Sequence, residues 1–304
     1  MKPRRALARG KPVAPSTDGS GARNDDDLVR LWLSPRPKST VKAYTADLEW
    51  WRSRGVPPPA GLRALRLLHI ARGLAELDEG SPATRARRVA ALRSLLSWGH
   101  RVGYLPLNIG AVLKLPPVPS KLAERILEPD EVMRLLAAAA ASPRQGVRDH
   151  CFVRVAYVSG ARVDELVRLN WEHIHPASKG GASLTLRGKG GKTRHVWVTQ
   201  GTADELVELA KLRGVEKGPV FVNRFGKRLS ARSAERLVEA ATKRAKLTGK
   251  VSPHWLRHGH ATHALERGAP IHQVAADLGH SSVATTSRYL HVRPGDGSAR
   301  YLGL

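Results

Sequence analysis

Apolar side chains recur at helical spacing along most of the chain, and this pattern predicts a mainly α-helical protein. In the segment STVKAYTADLEWWRSRG, Ser39 or Thr40 is the expected N-cap, because a hydroxyl there accepts a hydrogen bond from a free backbone N–H. One face of the segment then carries apolar side chains at helical spacing: Val41, Tyr44, Leu48 and Trp51. The segment is therefore predicted to be a helix with one buried face.

A second helix is predicted in the segment SPATRARRVAALRSLLSWGHRVG. Ser81 is its expected N-cap, and Pro82 occupies the first helical position, where a backbone N–H is not needed. The core-facing stripe is apolar: Val89, Leu92, Leu95 and Leu96. The early turns place polar and cationic side chains away from that stripe: Thr84, Arg85, Arg87 and Arg88. Between residues 25 and 110 the pattern predicts four or five helices and no strand.

The pattern changes in the segment LPLNIGAVLKLPPVPSKLAE, whose four prolines place a linker at residues 106–124. Helices resume in LEPDEVMRLLAAAA, where Glu128 to Asp130 suit a helix start. The only strong strand signal follows, because ASLTLR and TRHVWVT flank the glycine-rich turn GKGGK and predict a hairpin. Residues 1–24 mix basic residues with Pro, Gly and Ser without periodicity, and are expected to form a disordered basic arm.

Charge is the strongest signal in the composition of this 304-residue chain. Its 51 Lys and Arg residues exceed its 26 Asp and Glu residues, for a net charge of +25. A surface this cationic favours a polyanionic partner, since binding to phosphates releases counterions. Cys151 is the single cysteine, so neither an intramolecular disulfide nor a zinc site of four thiolates is available. No apolar run is long enough for a membrane span, no secretory signal begins the chain, and a cytoplasmic location is expected.

Histidines are concentrated in the segment SPHWLRHGHATHALERGAP, which suggests a metal site as a first hypothesis. On an ideal helix, His258 lies about 40° from His254, whereas His260 and His263 lie about 120° and 180° away. One metal ion cannot collect all four, and Trp255 stands where a zinc protease needs its glutamate. Arg257 shares a face with His254, and this pair suits an oxyanion better than a metal.

The turn RGKGGKT invites comparison with a phosphate-binding loop, but the spacing excludes that motif. Leu186 occupies the position of the required first glycine, and a strand follows the turn instead of a helix. As a hairpin tip, the turn carries Lys189 and Lys192, which are either solvated lysines or two cations directed at a ligand.

Two further segments carry candidate chemistry. In LGHSSVATTSRYLHV, Gly279 predicts a helix end, so a break between two short helices can bring His280 and Tyr289 to one site. A tyrosine beside cations and a histidine is a candidate nucleophile for phosphorus. In SGARVDELVRL, Arg162 and Glu165 lie one helical turn apart, which on its own is typical of a surface ion pair.

The order of these features resembles the tyrosine recombinase (phage integrase) family, and so do the HxLRH block, the LGHSS block and the segment RYLH. The resemblance spans roughly residues 25–295. It implies a set of catalytic residues: Arg162, Lys189, His254, Arg257, His280 and Tyr289. Glu165 is expected to orient these cations, while His258, His260 and His263 are expected to pack or to contact the DNA backbone. Further residues are expected to bind DNA: Lys42, Tyr44, Thr84, Arg85, Arg87, Arg88, Lys192 and Arg194.

The resemblance also implies an architecture and partners. It assigns residues 25–110 to a helical core-binding (SAM-like) domain and residues 125–304 to a mixed α/β catalytic domain with a C-terminal tail, the two closing on DNA as a clamp. The expected substrate is double-stranded DNA with inverted half-sites, held by a homotetramer, and neither metal nor nucleotide cofactor is expected. Two alternatives stay open at this point. A type IB topoisomerase has similar chemistry, and a DNA-binding regulator has the same fold.

Overall fold

The computed structural model describes residues 18–77, 80–119, 126–188, 191–215 and 217–290. The chain divides into two compact units, residues 1–119 and residues 120–304. The first unit is helical throughout its described part, with these helices: α1 (Asp25–Leu33), α2 (Lys38–Arg52), α3 (Leu67–Ala75) and α4 (Pro82–Arg101). Short 3-10 turns at Leu62–Ala64 and Ile109–Val112 complete it.

The described part of the first unit has four α-helices and no strand, in line with the prediction of four or five. The two helices whose N-caps were predicted are among them, and the cap of one differs from the prediction. Helix α4 begins as predicted, with Ser81 Oγ accepting from the Thr84 N–H at 3.2 Å and Pro82 in the first turn. Helix α2 begins earlier than predicted, because Pro37, whose extended backbone makes it the N-cap, precedes Ser39 and Thr40. The predicted apolar faces of α2 and α4 enter one core, whose largest fully buried members include Trp32, Trp51, Leu92 and Leu95.

Both ends of the first unit extend beyond the four helices. The Gly19 N–H donates to the Val102 carbonyl at 2.8 Å, and Ala22 is buried, so these two residues of the expected basic arm are held against the helical core. Residues 1–17 lie outside the described residues. In the expected linker, Leu113 is buried against the same core, and regular structure stops after it.

The second unit is built mainly of helices around a small sheet. Its elements are α5 (Pro129–Ala140), α6 (Gly146–Ser159), α7 (Val163–Val167), β1 (Ile174–Pro176), β2 (Ala182–Arg187), β3 (Thr193–Val198), α8 (Gln200–Arg213), α9 (Ala231–Arg244), α10 (Pro253–Glu266), α11 (Ile271–Leu278) and α12 (Val283–Thr286). A 3-10 turn at Ser287–Tyr289 follows α12. None of the described helices is long and apolar enough to span a membrane.

The sheet has the order β1-β2-β3, with both pairs antiparallel. The predicted hairpin is confirmed as β2 and β3, with Leu184 opposite Val196. Alternate residues of both strands face the core, as a half-buried sheet requires. Strand β1 was not expected, because three residues are too few to show an alternating pattern. The prediction of a mainly α protein with a small antiparallel sheet is confirmed.

Candidate active site

Arg257, on α10, lies at the centre of the candidate site, against the C-terminal ends of α6 and α11. Its guanidinium donates from Nη1 to the Gly160 carbonyl and from Nη2 to the Leu278 carbonyl, each at 2.6 Å. Gly160 ends α6 and Gly279 ends α11, both in the left-handed conformation with φ of 57° and 63°. The Arg257 side chain thus extends from α10 to the carbonyls at both helix ends, and it is buried. Burial, then the neighbouring cations, lower its pKa to about 10, so Arg257 stays protonated at neutral pH.

His280 lies directly beside this arginine, in the turn after α11. Arg257 Nη2 lies 3.0 Å from His280 Nε2, and an arginine can only donate, so Nε2 carries the lone pair. His280 Nδ1 then carries the proton and donates to Thr286 Oγ1 at 2.8 Å. Burial, followed by the charges of Arg257 and Arg162, lowers the pKa of His280 to about 4. The imidazole is therefore neutral at physiological pH, with one defined tautomer.

Glu165 collects two arginines from different elements. It accepts from the Arg162 backbone N–H at 2.8 Å and from Arg162 Nη1 at 3.1 Å. Arg194 on β3 holds both carboxylate oxygens, with Nη1 and Nη2 each at 2.7 Å. Burial raises the pKa of Glu165, but the hydrogen bonds of Arg194 and Arg162 outweigh it and the net pKa is lowered. The surface ion pair that the spacing suggested is excluded, because Glu165 is only 3% exposed.

Arg194 was expected to bind DNA, and the structure gives it a different position. Besides Glu165, it donates from Nε to the Asp277 carbonyl at 2.7 Å, and its side chain is 13% exposed. A Cβ added to Gly279 would lie 3.1 Å from Arg194 Cδ, so the arginine also packs against the end of α11. All three guanidinium nitrogens are thus committed within the protein. Arg194 ties the hairpin to Glu165 and to the turn that carries His280.

Tyr289 ends the 3-10 turn after α12 and is nearly buried, with 7% exposure. Its ring joins a small apolar cluster with Ala261, Val274 and Leu278. Its Oη lies 2.9 Å from His258 Nδ1. Burial raises the pKa of Tyr289, and the charges of Arg257, Arg288 and Arg162 oppose that rise.

His258 packs within the protein, as one of the two expectations had it, and its contact with Tyr289 adds a polar partner that the sequence did not indicate. Its ring also meets His254 edge to face, with centroids 4.2 Å apart. His254 itself is exposed at the start of α10. The angle of about 40° between the two histidines was available from the sequence, but their tyrosine partner was not.

Two other histidines of α10 pack, as expected. Tyr157 Oη lies 2.8 Å from His263 Nδ1, and His260 lies against Gly160. Burial, as the largest cause, lowers the pKa of His260 to about 4. Lys189 lies outside the described residues. Lys192 is exposed at the base of the turn, where its carbonyl accepts from the Gly188 N–H at 2.7 Å.

The residues of the first unit that were expected to bind DNA divide into two groups. Arg87 holds the buried carboxylate of Asp47 with two hydrogen bonds, at 2.9 and 2.8 Å. Tyr44 stacks on the Trp32 ring with centroids 5.2 Å apart, so both side chains have structural contacts within the unit. The other members of the set keep part of their surface in solvent: Lys42, Thr84, Arg85 and Arg88. Two of these also have contacts within the unit, since Thr84 Oγ1 lies 3.0 Å from Ser81 Oγ and the Arg88 guanidinium lies 4.3 Å over the Trp50 ring.

The cluster suits an anionic phosphorus group better than a metal. Arg162 and Arg257 are cations that lie near one another, a neutral histidine stands beside them, and a phenol completes the group. Within the described ranges, no three His, Cys, Asp or Glu side chains are placed to hold a metal ion. The arrangement can bind a phosphodiester and offer it an oxygen nucleophile.

Comparisons with known proteins agree with this chemistry. The model of the phage integrase family matches residues 125–295. The tyrosine recombinase XerD of Mycobacterium tuberculosis (strain CDC 1551 / Oshkosh) is 34% identical over 273 residues, which cover 83% of this chain and 86% of that protein. The XerH site-specific recombinase in a pre-cleavage complex with difH substrate has a similar fold, with a TM-score of 0.69 at 20% identity over 91% of this chain and 82% of XerH. A lambda integrase tetramer bound to a Holliday junction gives a TM-score of 0.67 at 20% identity, over 84% and 76% of the two chains. The chain therefore belongs to the phage integrase family of tyrosine recombinases.

Proposed function

We propose that this protein is a site-specific recombinase that cuts DNA strands with Tyr289 and rejoins them to new partners. Cleavage forms a 3′-phosphotyrosyl bond and frees a 5′-hydroxyl, which in the second step attacks the phosphotyrosyl bond of a partner strand. The observation that carries the proposal is the convergence of Arg162, Arg257 and His280 near Tyr289, from four separate turns or helices. The bond energy is conserved in the phosphotyrosine, so the reaction needs neither nucleotide nor metal.

The two arginines have different tasks in this mechanism. Arg257 is held rigidly by two carbonyls, so its charge is in place before substrate arrives. The Arg162 side chain is 44% exposed, with Nη1 on Glu165, which leaves donors for the non-bridging oxygens of a phosphate. Removing one such preorganised donor costs about 3 kcal/mol of transition-state stabilisation, which is a rate loss of about 10²-fold.

The leaving 5′-oxygen needs a proton, and we assign this role to Lys189 on the hairpin turn. Strands β2 and β3 pair on either side of this turn, and Arg194 on β3 binds Glu165 in the site. Lys192, which is exposed, is assigned to the DNA backbone. A positioned general acid contributes about 10²- to 10⁴-fold to such a step.

Double-stranded DNA with inverted half-sites is the proposed substrate, and a homotetramer on DNA is the proposed assembly. The XerH complex with difH and the lambda integrase tetramer on a Holliday junction support this proposal by analogy of fold. The net charge of +25 supports many phosphate contacts, so the logarithm of DNA affinity should fall steeply with the logarithm of salt concentration. The clamp of two units around DNA, expected from the resemblance, stays a prediction.

The direct test is a suicide DNA substrate with a nick beside the cleavage site, which traps the covalent adduct. Tyr289→Phe should bind this DNA with unchanged affinity and form no adduct, whereas Tyr301→Phe should form it at the wild-type rate. An adduct that persists in Tyr289→Phe and is lost in Tyr301→Phe contradicts the proposal. Strand exchange between two sites, scored on the same preparations, separates a recombinase from a topoisomerase-like enzyme that only relaxes supercoils.

A further inference from the structure

We propose that His258 is a catalytic residue that accepts the phenolic proton of Tyr289 during cleavage and returns it during rejoining. This inference rests on the proposed function, since it assigns a base to the nucleophile named there. The observation behind it is the contact of 2.9 Å between His258 Nδ1 and Tyr289 Oη. Among the described residues, His258 is the hydrogen-bond partner of Tyr289 Oη.

The position of His258 is well fixed for this task. It follows Arg257 on α10, is 8% exposed, and lies in the same helix turn that anchors the phosphate-binding arginine. In the reactive state that we propose, the phenol donates to Nδ1 along this contact, which leaves the lone pairs of Oη to attack phosphorus. A general base must lie within about 2.6 to 3.2 Å of the atom it deprotonates, and His258 already does so.

The two histidines of the resemblance are less suited to this proton transfer. His280 Nε2 is occupied by Arg257, and His280 Nδ1 is bonded to Thr286. His254 meets the ring of His258 edge to face from the exposed start of α10. His258 is the histidine whose ring nitrogen lies beside the nucleophile.

The step balances in atoms and charge. As a lone pair of Tyr289 Oη forms the bond to phosphorus, the O–H proton moves to His258 Nδ1 and the imidazole becomes a cation. The bond from phosphorus to the 5′-oxygen breaks, and that oxygen takes a proton from the general acid, Lys189. Rejoining runs these transfers in reverse, so His258 is neutral again at the end of the cycle.

The charged and titratable groups around the pair come from several elements. His254 and Arg257 lie on α10 with His258, while Arg288 lies beside Tyr289 and Arg162 acts on it from the start of α7. Burial raises the pKa of Tyr289, and the cationic arginines, which favour a tyrosinate, oppose that rise without cancelling it.

The experiment measures single-turnover cleavage of the nicked DNA by the full chain at saturating protein, over a series of pH values. His258→Asn keeps an acceptor oxygen near the place of Nδ1 but removes the base, and His258→Phe removes both while keeping a ring. Both variants should bind DNA as the wild type does and cleave it about 10²- to 10⁴-fold more slowly. The control is His263→Asn, which alters a buried histidine of the same helix that bonds Tyr157 and should cleave at the wild-type rate.

A fluorinated tyrosine at position 289 separates a base from a packing residue. The more acidic phenol needs less help to lose its proton, so the deficit of both His258 variants should shrink, and it should shrink again as the pH is raised. A deficit that neither change reduces would mean that His258 only packs against Tyr289, and would overturn the inference. So would wild-type rates in both variants. If Tyr289→Phe formed an adduct in parallel reactions, the proposed function itself would fail, whatever the His258 variants did.

Discussion

Replacing Arg194 with methionine tests how the buried carboxylate of the site is held. Arg194→Met keeps most of the length of the side chain and removes both hydrogen bonds to Glu165, as well as the one to the Asp277 carbonyl. Removing one partner of a buried ion pair costs about 3 to 5 kcal/mol, because the other charge stays buried. Arg162 still bonds Glu165 from a half-exposed position, so we expect the lower end, about 3 kcal/mol in the free energy of unfolding.

The pH dependence of this loss has a defined sign. In the wild type the folded pKa of Glu165 is lowered, so its stabilising contribution is present above the unfolded pKa and is lost as pH falls through the folded value. In Arg194→Met burial remains while the strongest donors are gone, which should raise the pKa of Glu165 above its ordinary value of about 4.3. Protonation then relieves the buried charge. The deficit of the variant relative to the wild type should therefore shrink as the pH falls from neutral.

The unfolding of the second unit is measured by urea denaturation at several pH values. Hydrogen exchange in peptides from α7 and β3 reports the unfolding. Arg224→Met is the matched control, because this exposed loop arginine lies over the ring of its neighbour Phe225, and its loss should change the free energy of unfolding by no more than about 0.5 kcal/mol. Adding Glu165→Gln to Arg194→Met should recover part of the loss. A deficit below about 1 kcal/mol, the value of a surface pair, or one that grows as the pH falls, would refute the reasoning.

Three further predictions concern other parts of the chain. Gly160→Ala should destabilise the second unit by about 1 to 3 kcal/mol in urea denaturation, because φ is 57° and the new Cβ would lie 2.7 Å from a histidine ring atom; a neutral result would show that this turn relaxes freely. Asp47→Asn should cost the helical unit about 2 kcal/mol in the same assay, since it weakens a buried bidentate pair with Arg87, and an unchanged midpoint would contradict that role. Lys189→Ala should cleave normal DNA slowly and a substrate with a bridging 5′-sulfur at nearly the wild-type rate, because a thiolate leaves without a proton; rescue of Lys192→Ala instead would move the general acid to Lys192.

The sequence predicted the elements better than it predicted their contacts. Helix α4 and the hairpin followed from local rules, a hydroxyl cap before a proline and two alternating strands around glycines. The grouping of Arg162, Arg257, His280 and Tyr289 did not follow from spacing, because it depends on how separate helices pack. It was expected only from the order of motifs in a known family.

Arg194 and His258 show where the limit of sequence reasoning lies. Arg194 alternates with the buried Val196 and Val198, so the strand period already placed it on the core face, although its charge suggested a surface residue. The carboxylate that compensates the charge lies on another element, and the sequence does not pair them. His258 shares a face with His254 in any helix, but its partner Tyr289 is 31 positions away and approaches only after α11 and α12 have folded.

The carbonyls around Arg257 have an electrostatic consequence for the reaction. Helices α6 and α11 both end at this guanidinium, and helix C-termini carry partial negative charge, so they stabilise the cation without neutralising it as a carboxylate would. Among the described side chains, Arg162, Arg194 and Arg257 face the carboxylate of Glu165, Arg288 lies near Tyr289, and His280 is neutral. Cations therefore outnumber carboxylates in this group. A phosphodiester gains one further negative charge when an oxyanion adds to phosphorus. In the proposed reaction, the field of the folded protein would therefore match the charge of the pentacovalent state better than that of the uncut DNA, and this difference would accelerate the chemical step instead of merely tightening binding.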